Sequence, residues 1–309
     1  MIPKRTVTTW FCDTLTRMKK LAIAFLMVAL PAAAQLGGFG KEELIKYTAN
    51  NPFERFEDGR PKVPQKYIDM LQGASSEMLW GPLRRAEFPL QWAGGFQIIH
   101  PEKKLVGRAF TAVFMPIRKD VNDVIEADAK AAGLGRNNNQ RVIDRLQPGD
   151  VLVVDMFGKV EGGTFAGDNL ATAIHAASGN GFVIDGGVRD LDGIHPLNIP
   201  IYVRGIHVSA INDVMLMGIN VPIRIGGTTV MPGDLVVGDR EGLTFIPPEA
   251  VESAATRSKI TELHDIWTKG KLATGKYQAS ELYPRPQAED LKKEYEDWLA
   301  KEKAKLGIE

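Results

Sequence analysis

The chain has 309 residues, 44% of them apolar and 25% charged, with 38 basic and 38 acidic side chains. That length holds one large domain or two small ones, with enough apolar surface for a real core. One cysteine, Cys12, excludes a disulfide framework, and the balanced charge speaks against a nucleic-acid partner, whose affinity comes mainly from Lys and Arg on phosphate.

Residues 1–34 read as an export signal. Arg17-Met18-Lys19-Lys20 is a basic n-region, 21–30 is an apolar stretch of ten residues, and Pro31-Ala32-Ala33-Ala34 offers an A-x-A cleavage site. Ten apolar residues are too few to cross a bilayer core of roughly 30 Å as a helix. A cleaved leader is therefore expected, with a periplasmic or secreted product cut near Ala34, and Met18 is a better start than Met1. Its removal takes away five of the 38 basic residues and one of the 38 acidic ones, leaving a net charge near −4, and Cys12 leaves with it.

A glycine-rich stub follows, then a short helix over 41–48 and a break at Asn50-Asn51-Pro52. Apolar residues at 67, 68, 71, 74, 78 and 79 predict an amphipathic helix over 67–79. Residues 80–104 are expected to be irregular, with His100 a surface or hydrogen-bonded histidine. A strand over 105–115, a helix over 121–132 and a polar loop at Asn137-Asn138-Asn139 come next. Pro148-Gly149-Asp150 is a turn that launches a strand over 151–154. Further strands are expected over 199–203 and 221–225. Pro232-Gly233-Asp234 repeats the earlier turn and launches 235–237, and Asp239-Arg240-Glu241-Gly242 turns into 243–246. Helices over 249–267 and 288–306 close the chain.

The richest stretch lies between. Gly162-Gly163 is a glycine-rich turn, and Gly167-Asp168-Asn169 resembles a helix cap ahead of Leu170, Ala171, Ile174 and Ala177 at helical spacing. Residues 181–184 are an apolar strand of the kind buried on both faces, leading into Asp185-Gly186-Gly187-Val188-Arg189-Asp190. A helix N-terminus, which attracts anions through the free amides of Asn169 and Leu170, is thus within reach of a strand end. Arg189 offers a fork that matches a carboxylate, and Asp190 offers oxygen ligands to a hard cation such as Mg²⁺. Singly, each has a plain reading: Asp168 as an N-cap, Arg189-Asp190 as a surface ion pair. His195 could line the same pocket, and His175 could be a packed residue. No zinc-type histidine spacing, phosphate loop, dinucleotide fingerprint or nucleophile elbow is present. Strands separated by short turns outnumber helical crossovers over 105–246, so a mixed α/β or α+β domain with layered sheets fits better than a clean doubly wound sheet.

Asp168, twenty residues and then Arg189-Asp190 resemble the D-x20-R-D signature of the RraA-like family. That family contains the regulator of ribonuclease activity A and metal-dependent 4-hydroxy-4-methyl-2-oxoglutarate/4-carboxy-4-hydroxy-2-oxoadipate aldolases. The segments 105–111, 149–155, 167–171, 185–190 and 232–237 fit the family in order. The resemblance implies an α/β fold, a three-layer β/β/α swivelling domain over 65–265, with an N-terminal extension over 35–64 and a C-terminal helical extension over 266–309. It also implies trimers or hexamers with sites between subunits. By the same resemblance, Asp190 would hold Mg²⁺ or Mn²⁺, Arg189 would bind a small 2-oxo-acid, Asp168 would be catalytic, and the amides of Asn169 and Leu170 would help hold an enolate. The implied activity is that of a carbon–carbon lyase, an aldolase or decarboxylase, with an exported non-catalytic binding or regulatory protein as the alternative. Gly193 stands where family members often carry an acid, and Glu252, Glu262 and Asp265 are candidates for a carboxylate lent to a neighbouring subunit.

Overall fold

A computed structural model describes residues 38–308 of the chain, and the expected leader over 1–34 lies outside them. The described elements begin with helices α1 (Lys41–Tyr47), α2 (Gln65–Met70) and α3 (Ser76–Arg85), then strands β1 (Trp92–Ala93), β2 (Gln97–Ile99) and β3 (Leu105–Pro116). Helices α4 (Lys119–Ala131) and α5 (Asn138–Ile143) lead into β4 (Asp150–Ala166), α6 (Asp168–Ser178), β5 (Phe182–Val188), α7 (Leu191–Ile194) and β6 (Ile201–Ile206). Strands β7 (Val214–Ile219), β8 (Ile223–Ile225), β9 (Thr228–Val230), β10 (Leu235–Asp239) and β11 (Gly242–Ile246) follow, then helices α8 (Val251–Leu272), α9 (Ala279–Leu282) and α10 (Glu289–Lys305). No described helix is long and apolar enough to cross a membrane.

The main sheet runs β1-β11-β10-β3-β4-β5-β6-β2, with β7 also on β3. Its centre, β3-β4-β5-β6, is parallel, and the flanking strands are antiparallel. The parallel strands are near-continuous apolar runs because both of their faces are covered. Phe110, Leu152 and Phe182 point to one side, onto Ala171 and Ile174 of α6, while Ala109, Val151 and Val183 point to the other, onto Ile223, Ile225 and Val230 of the β8–β9 hairpin. Helices, main sheet and hairpin make the three layers of a β/β/α fold. A third cluster joins α2, α3 and α8 to Val106, Leu235, Val237 and Ile246. Each fully buried side chain of this size contributes about 1.5–3 kcal/mol.

Several elements differ from the sequence expectation. The helix over 67–79 breaks after a 3₁₀ turn, because Gly73 lies against the Glu262 carboxylate and Ser75 caps a new helix by accepting from the Met78 N–H at 3.2 Å. The polar run Asn137–Asn139 is a helix start rather than a loop, with Asn139 buried and donating through Nδ2 to the Phe165 carbonyl at 2.8 Å. The irregular stretch over 80–104 contains β1 and β2, whose pairing with distant strands no local pattern displays. β7 was not expected, and β4 continues through the glycine-rich turn with register shifts against β5 between Asp155 and Ala166.

The two Pro-Gly-Asp turns have the same construction on either side of β3. Gly149 and Gly233 have φ of 85° and 89°, and each Asp accepts, through Oδ2, the N–H of the residue three positions earlier, Gln147 at 2.9 Å or Met231 at 2.8 Å. Asp150 is also bonded by Arg60 Nη1 at 2.9 Å, and that guanidinium lies between the rings of Phe56 and Phe110 while its Nε reaches Asp58 at 2.7 Å. Arg60 and Asp150 are both fully buried, so losing either partner would strand a charge at a cost of about 3–5 kcal/mol. Asp234 has no such partner among the described residues, and burial pushes its carboxyl up to about 7.

Because the folded-state value lies above the unfolded one, the Asp234 carboxyl favours folding in acid, and that contribution is lost as pH rises from 3.8 to about 7. Asp234→Asn keeps the turn bond and removes the ionisation. Its melting temperature relative to wild type is expected to rise between pH 5 and pH 8, by the equivalent of on the order of 1 kcal/mol per pH unit in the titrating range. Thermal melts of both proteins across pH check this; a constant difference would show that Asp234 does not titrate in the fold.

Candidate functional site

The β4-α6-β5 crossover places the site. Ala166 and Val188 are register partners at the ends of two parallel strands, and the Arg189 N–H donates to the Ala166 carbonyl at 3.1 Å, one step beyond the ladder. Gly167-Asp168 and Arg189-Asp190 therefore leave the sheet side by side, at the carboxyl ends of the strands, where open α/β sheets place their ligands.

Helix α6 makes its first ladder bond from the Ala171 N–H to the Gly167 carbonyl at 2.9 Å. Gly167 is thus the cap residue, and Asp168 is the first helical residue rather than the N-cap. The Asp168 carboxylate turns back on its neighbour, Oδ1 accepting from the Asn169 N–H at 2.7 Å. Gly167 is required by close approach: a Cβ there would overlap Asp190 Oδ2. Gly193 plays the matching part opposite, because its Cβ would lie 2.6 Å from Asp168 Oδ2. The space a side chain at 193 would enter is occupied by the carboxylate of Asp168.

Asp190 has left-handed backbone, φ 58° and ψ 48°, and its carbonyl starts α7 by accepting from the Gly193 and Ile194 N–H groups, both at 3.0 Å. Such a conformation is unfavourable for a residue with a side chain and persists where the surroundings impose it. Arg189 Nε donates to Asp190 Oδ2 at 3.2 Å, and Nη1 reaches the Ser209 carbonyl at 3.5 Å. The two side chains are 35% and 48% exposed. A pair so solvated contributes about 0–1 kcal/mol, too little for stability to be the reason for holding these groups here.

Arg189, Gly167, Asn169 and Leu170 line a cleft of about 530 Å³. Arg136 to Gln140 and Ala210 to Asn212 line it too, and of these the sequence pattern singled out only Asn137-Asn138-Asn139, as a polar loop. Arg136 is exposed and makes no ion pair among the described residues, so the cleft holds two guanidinium groups. The Asn run was the one local hint, and only its packing on Phe165 reveals which way it faces. His195 does not line the cleft: its Nδ1 lies 2.7 Å from His100 Nε2, and the two rings face each other at 4.4 Å. His100 is hydrogen-bonded as expected, to Glu102 and to the His195 carbonyl as well. His175 is half-buried with Nδ1 3.3 Å from the Asn180 carbonyl. Of the three tail carboxylates, Glu252 accepts from the Tyr67 hydroxyl, and Glu262 and Asp265 pair with Lys259 and Lys269.

The donor set suits a hard cation. Among the described residues no three His, Cys, Asp or Glu side chains gather into a cage. What is present is one half-exposed carboxylate, Asp190, with Asp168 nearby, hard oxygen donors that would leave a bound divalent cation most of its waters.

The RraA-like family model, Aldolase/RraA, matches residues 87–245. A protein of Halalkalibacterium halodurans provisionally named a 4-hydroxy-4-methyl-2-oxoglutarate aldolase is 33% identical over 158 residues, which is 50% of this chain and 74% of that one. Protein DlpA of Legionella pneumophila is 29% identical over 189 residues, 59% of this chain but only 28% of DlpA. Streptomyces coelicolor RraAS2, titled an unusual member of the RNase ES inhibitor RraA family, superposes with a TM-score of 0.56 at 27% identity, over 69% of this chain and 100% of that one. An uncharacterized protein from Pseudomonas syringae has the same fold, with a TM-score of 0.59 at 24% identity, over 73% of this chain and 94% of that one.

Gly167→Ala is expected to displace the Asp190 carboxylate without disturbing the core, since φ of −102° at this position suits alanine. Calorimetric titration with Mg²⁺ should show affinity about ten-fold weaker than wild type or worse, with a nearly unchanged melting temperature. Unchanged Mg²⁺ affinity would separate Gly167 from the cation site.

Proposed function

The chain belongs to the RraA-like family, and from that premise we propose that it is a metal-dependent carbon–carbon lyase, an aldolase or decarboxylase acting on a small 2-oxo-acid. One observation carries this: at the carboxyl ends of β4 and β5, a helix N-terminus, a guanidinium and two carboxylates meet beside a cleft of about 530 Å³. The names of relatives support the same chemistry.

Arg189 takes the substrate carboxylate on its planar fork. The amides of Asn169 and Leu170, which precede the first ladder bond of α6, face the negative charge that develops on the C2 oxygen as an enolate forms. Asp190 would hold Mg²⁺ or Mn²⁺, which when bound supplies positive charge that polarises the C2 ketone. Asp168 leaves the Asn169 amide, accepts the C4 hydroxyl proton as the C3–C4 bond breaks, and returns it to C3. A 4-hydroxy-2-oxo-acid then ends as a 2-oxo-acid and a second carbonyl compound. A substrate with a carboxylate on C3 loses CO₂ to the same enolate. Arg136, which also lines the cleft, suits a second carboxylate. In this reading the leader over 1–34 places the reaction in the periplasm or outside the cell.

The competing reading is a non-catalytic binding or regulatory protein on the same scaffold, favoured by the likeness to RraAS2. Purified protein with Mg²⁺ decides between them: a lyase exchanges the methyl protons of pyruvate with solvent and decarboxylates oxaloacetate, and failure at both favours the second. Arg189→Ala should lower kcat/KM by about 10²–10³-fold. Arg136→Ala should raise KM for oxaloacetate about ten-fold with kcat kept, leaving pyruvate exchange unchanged.

A further inference from the structure

The two Pro-Gly-Asp turns match in backbone and in hydrogen bonding, yet only one is matched in charge. Asp150 has a buried Arg60 on Oδ1. Asp234 is 2% exposed, accepts from the Met231 N–H through Oδ2, and has no ion pair among the described residues. Burial raises its proton affinity, opposed only by the hydrogen bond from the Met231 N–H.

Asp234 is one of the residues lining a cavity of about 320 Å³ between the segment 46–51, the end of α1 and the turn after it, and the turns before β10 and after β11. Gln91, whose buried Oε1 has no hydrogen-bond partner among the described residues, lines the same cavity. Glu249 is there too, with Oε2 accepting from Asn50 Nδ2 at 2.9 Å. Lys46 is the cation on this wall; its ammonium lies 5.4 Å from the Tyr47 ring centroid and makes no ion pair among the described residues. Tyr47, Phe88 and Pro247 supply apolar surface. Three oxygen-bearing side chains and an apolar wall, at the lower end of the size range of ligand pockets, suit a compact cation with an aliphatic body.

We propose that this cavity is a binding site for an alkylguanidinium group, which would take on Asp234 the position Arg60 takes on Asp150. The site is separate from the cleft at Arg189, so its failure would leave the lyase reading untouched. The guanidinium could arrive on a free amine or on an arginine side chain of a polypeptide, and the two differ in the bulk that follows the cation.

Calorimetric titration of the purified full chain with agmatine, at about pH 8, tests the site. The expected result is saturable one-to-one binding that weakens at least about ten-fold in Asp234→Asn and is absent for 1-pentanol. No saturable binding, or equal affinity in the variant, overturns the proposal. Should Asp234→Asn fail to fold, Gln91→Leu decides: several-fold weaker agmatine binding supports the site, and unchanged affinity overturns it. The tripeptide Gly-Arg-Gly separates the sources, since binding as tight as agmatine assigns the cation to a polypeptide and much weaker binding assigns it to a free amine.

Discussion

Parallel pairing of β4 with β5 is the constraint on which the rest of the candidate site depends. Parallel neighbours need a crossover, here α6, and the crossover must leave from the same end of the sheet at which the next strand finishes. With Ala166 opposite Val188, the helix start and the Arg189-Asp190 corner cannot be far apart, whatever their separation in the chain. The burial that holds the pair together, Leu152, Val154, Phe182 and Ile184 under α6 and Val151, Val153 and Val183 under the hairpin, is thus also what holds two carboxylates and a guanidinium in place.

Within that frame, two glycines regulate how closely the charged groups approach. Gly167 admits the Asp190 carboxylate to the foot of α6, and Gly193 admits Asp168 to the start of α7. Neither has positive φ, so the reason for glycine at both is room rather than backbone conformation. A side chain at 193 would meet Asp168 in this arrangement. The acidic groups at this corner are therefore Asp168 and Asp190, with Asp192 exposed on the following turn.

Buried charge is handled in two ways on either side of β3. Asp150 is neutralised by an arginine from the segment before α2, which docks that segment on the sheet through an ion pair and two ring faces. Asp234 has the matching backbone bond and, among the described residues, no ion pair, with a cavity beside it. The contrast between chemically matched turns is what gives the second one meaning, since an unpaired buried carboxylate is costly and is ordinarily compensated.

Much of this was legible in the residues. Central strands showed as apolar runs, α6 as helical spacing after a glycine, the Pro-Gly-Asp turns as turns, and the residues of the D-x20-R-D pattern as a set worth joining. Other features were not legible, because they depend on pairing across long separations. β1, β2 and β7 are short or edge segments whose partners lie far along the chain, and His195 could not be assigned to His100 without the fold. The Asn137–Asn139 run read as a loop since its helix is stabilised by Asn139 reaching Phe165 rather than by local propensity. Sequence by itself determined a layered domain of mixed α/β or α+β class, narrowed to α/β by the family resemblance, together with the turn chemistry and the identity of the charged groups, because class and turns follow from local periodicity and from conformations that only certain residues adopt. Tertiary structure alone decided that Arg136 and Arg189 line one cleft, that Asp168 fills the space beside Gly193, and that among the described residues Asp234 stands without an ion-pair partner like the Arg60 of Asp150. Each of those is a distance between residues that chain order separates, and only packing sets such distances.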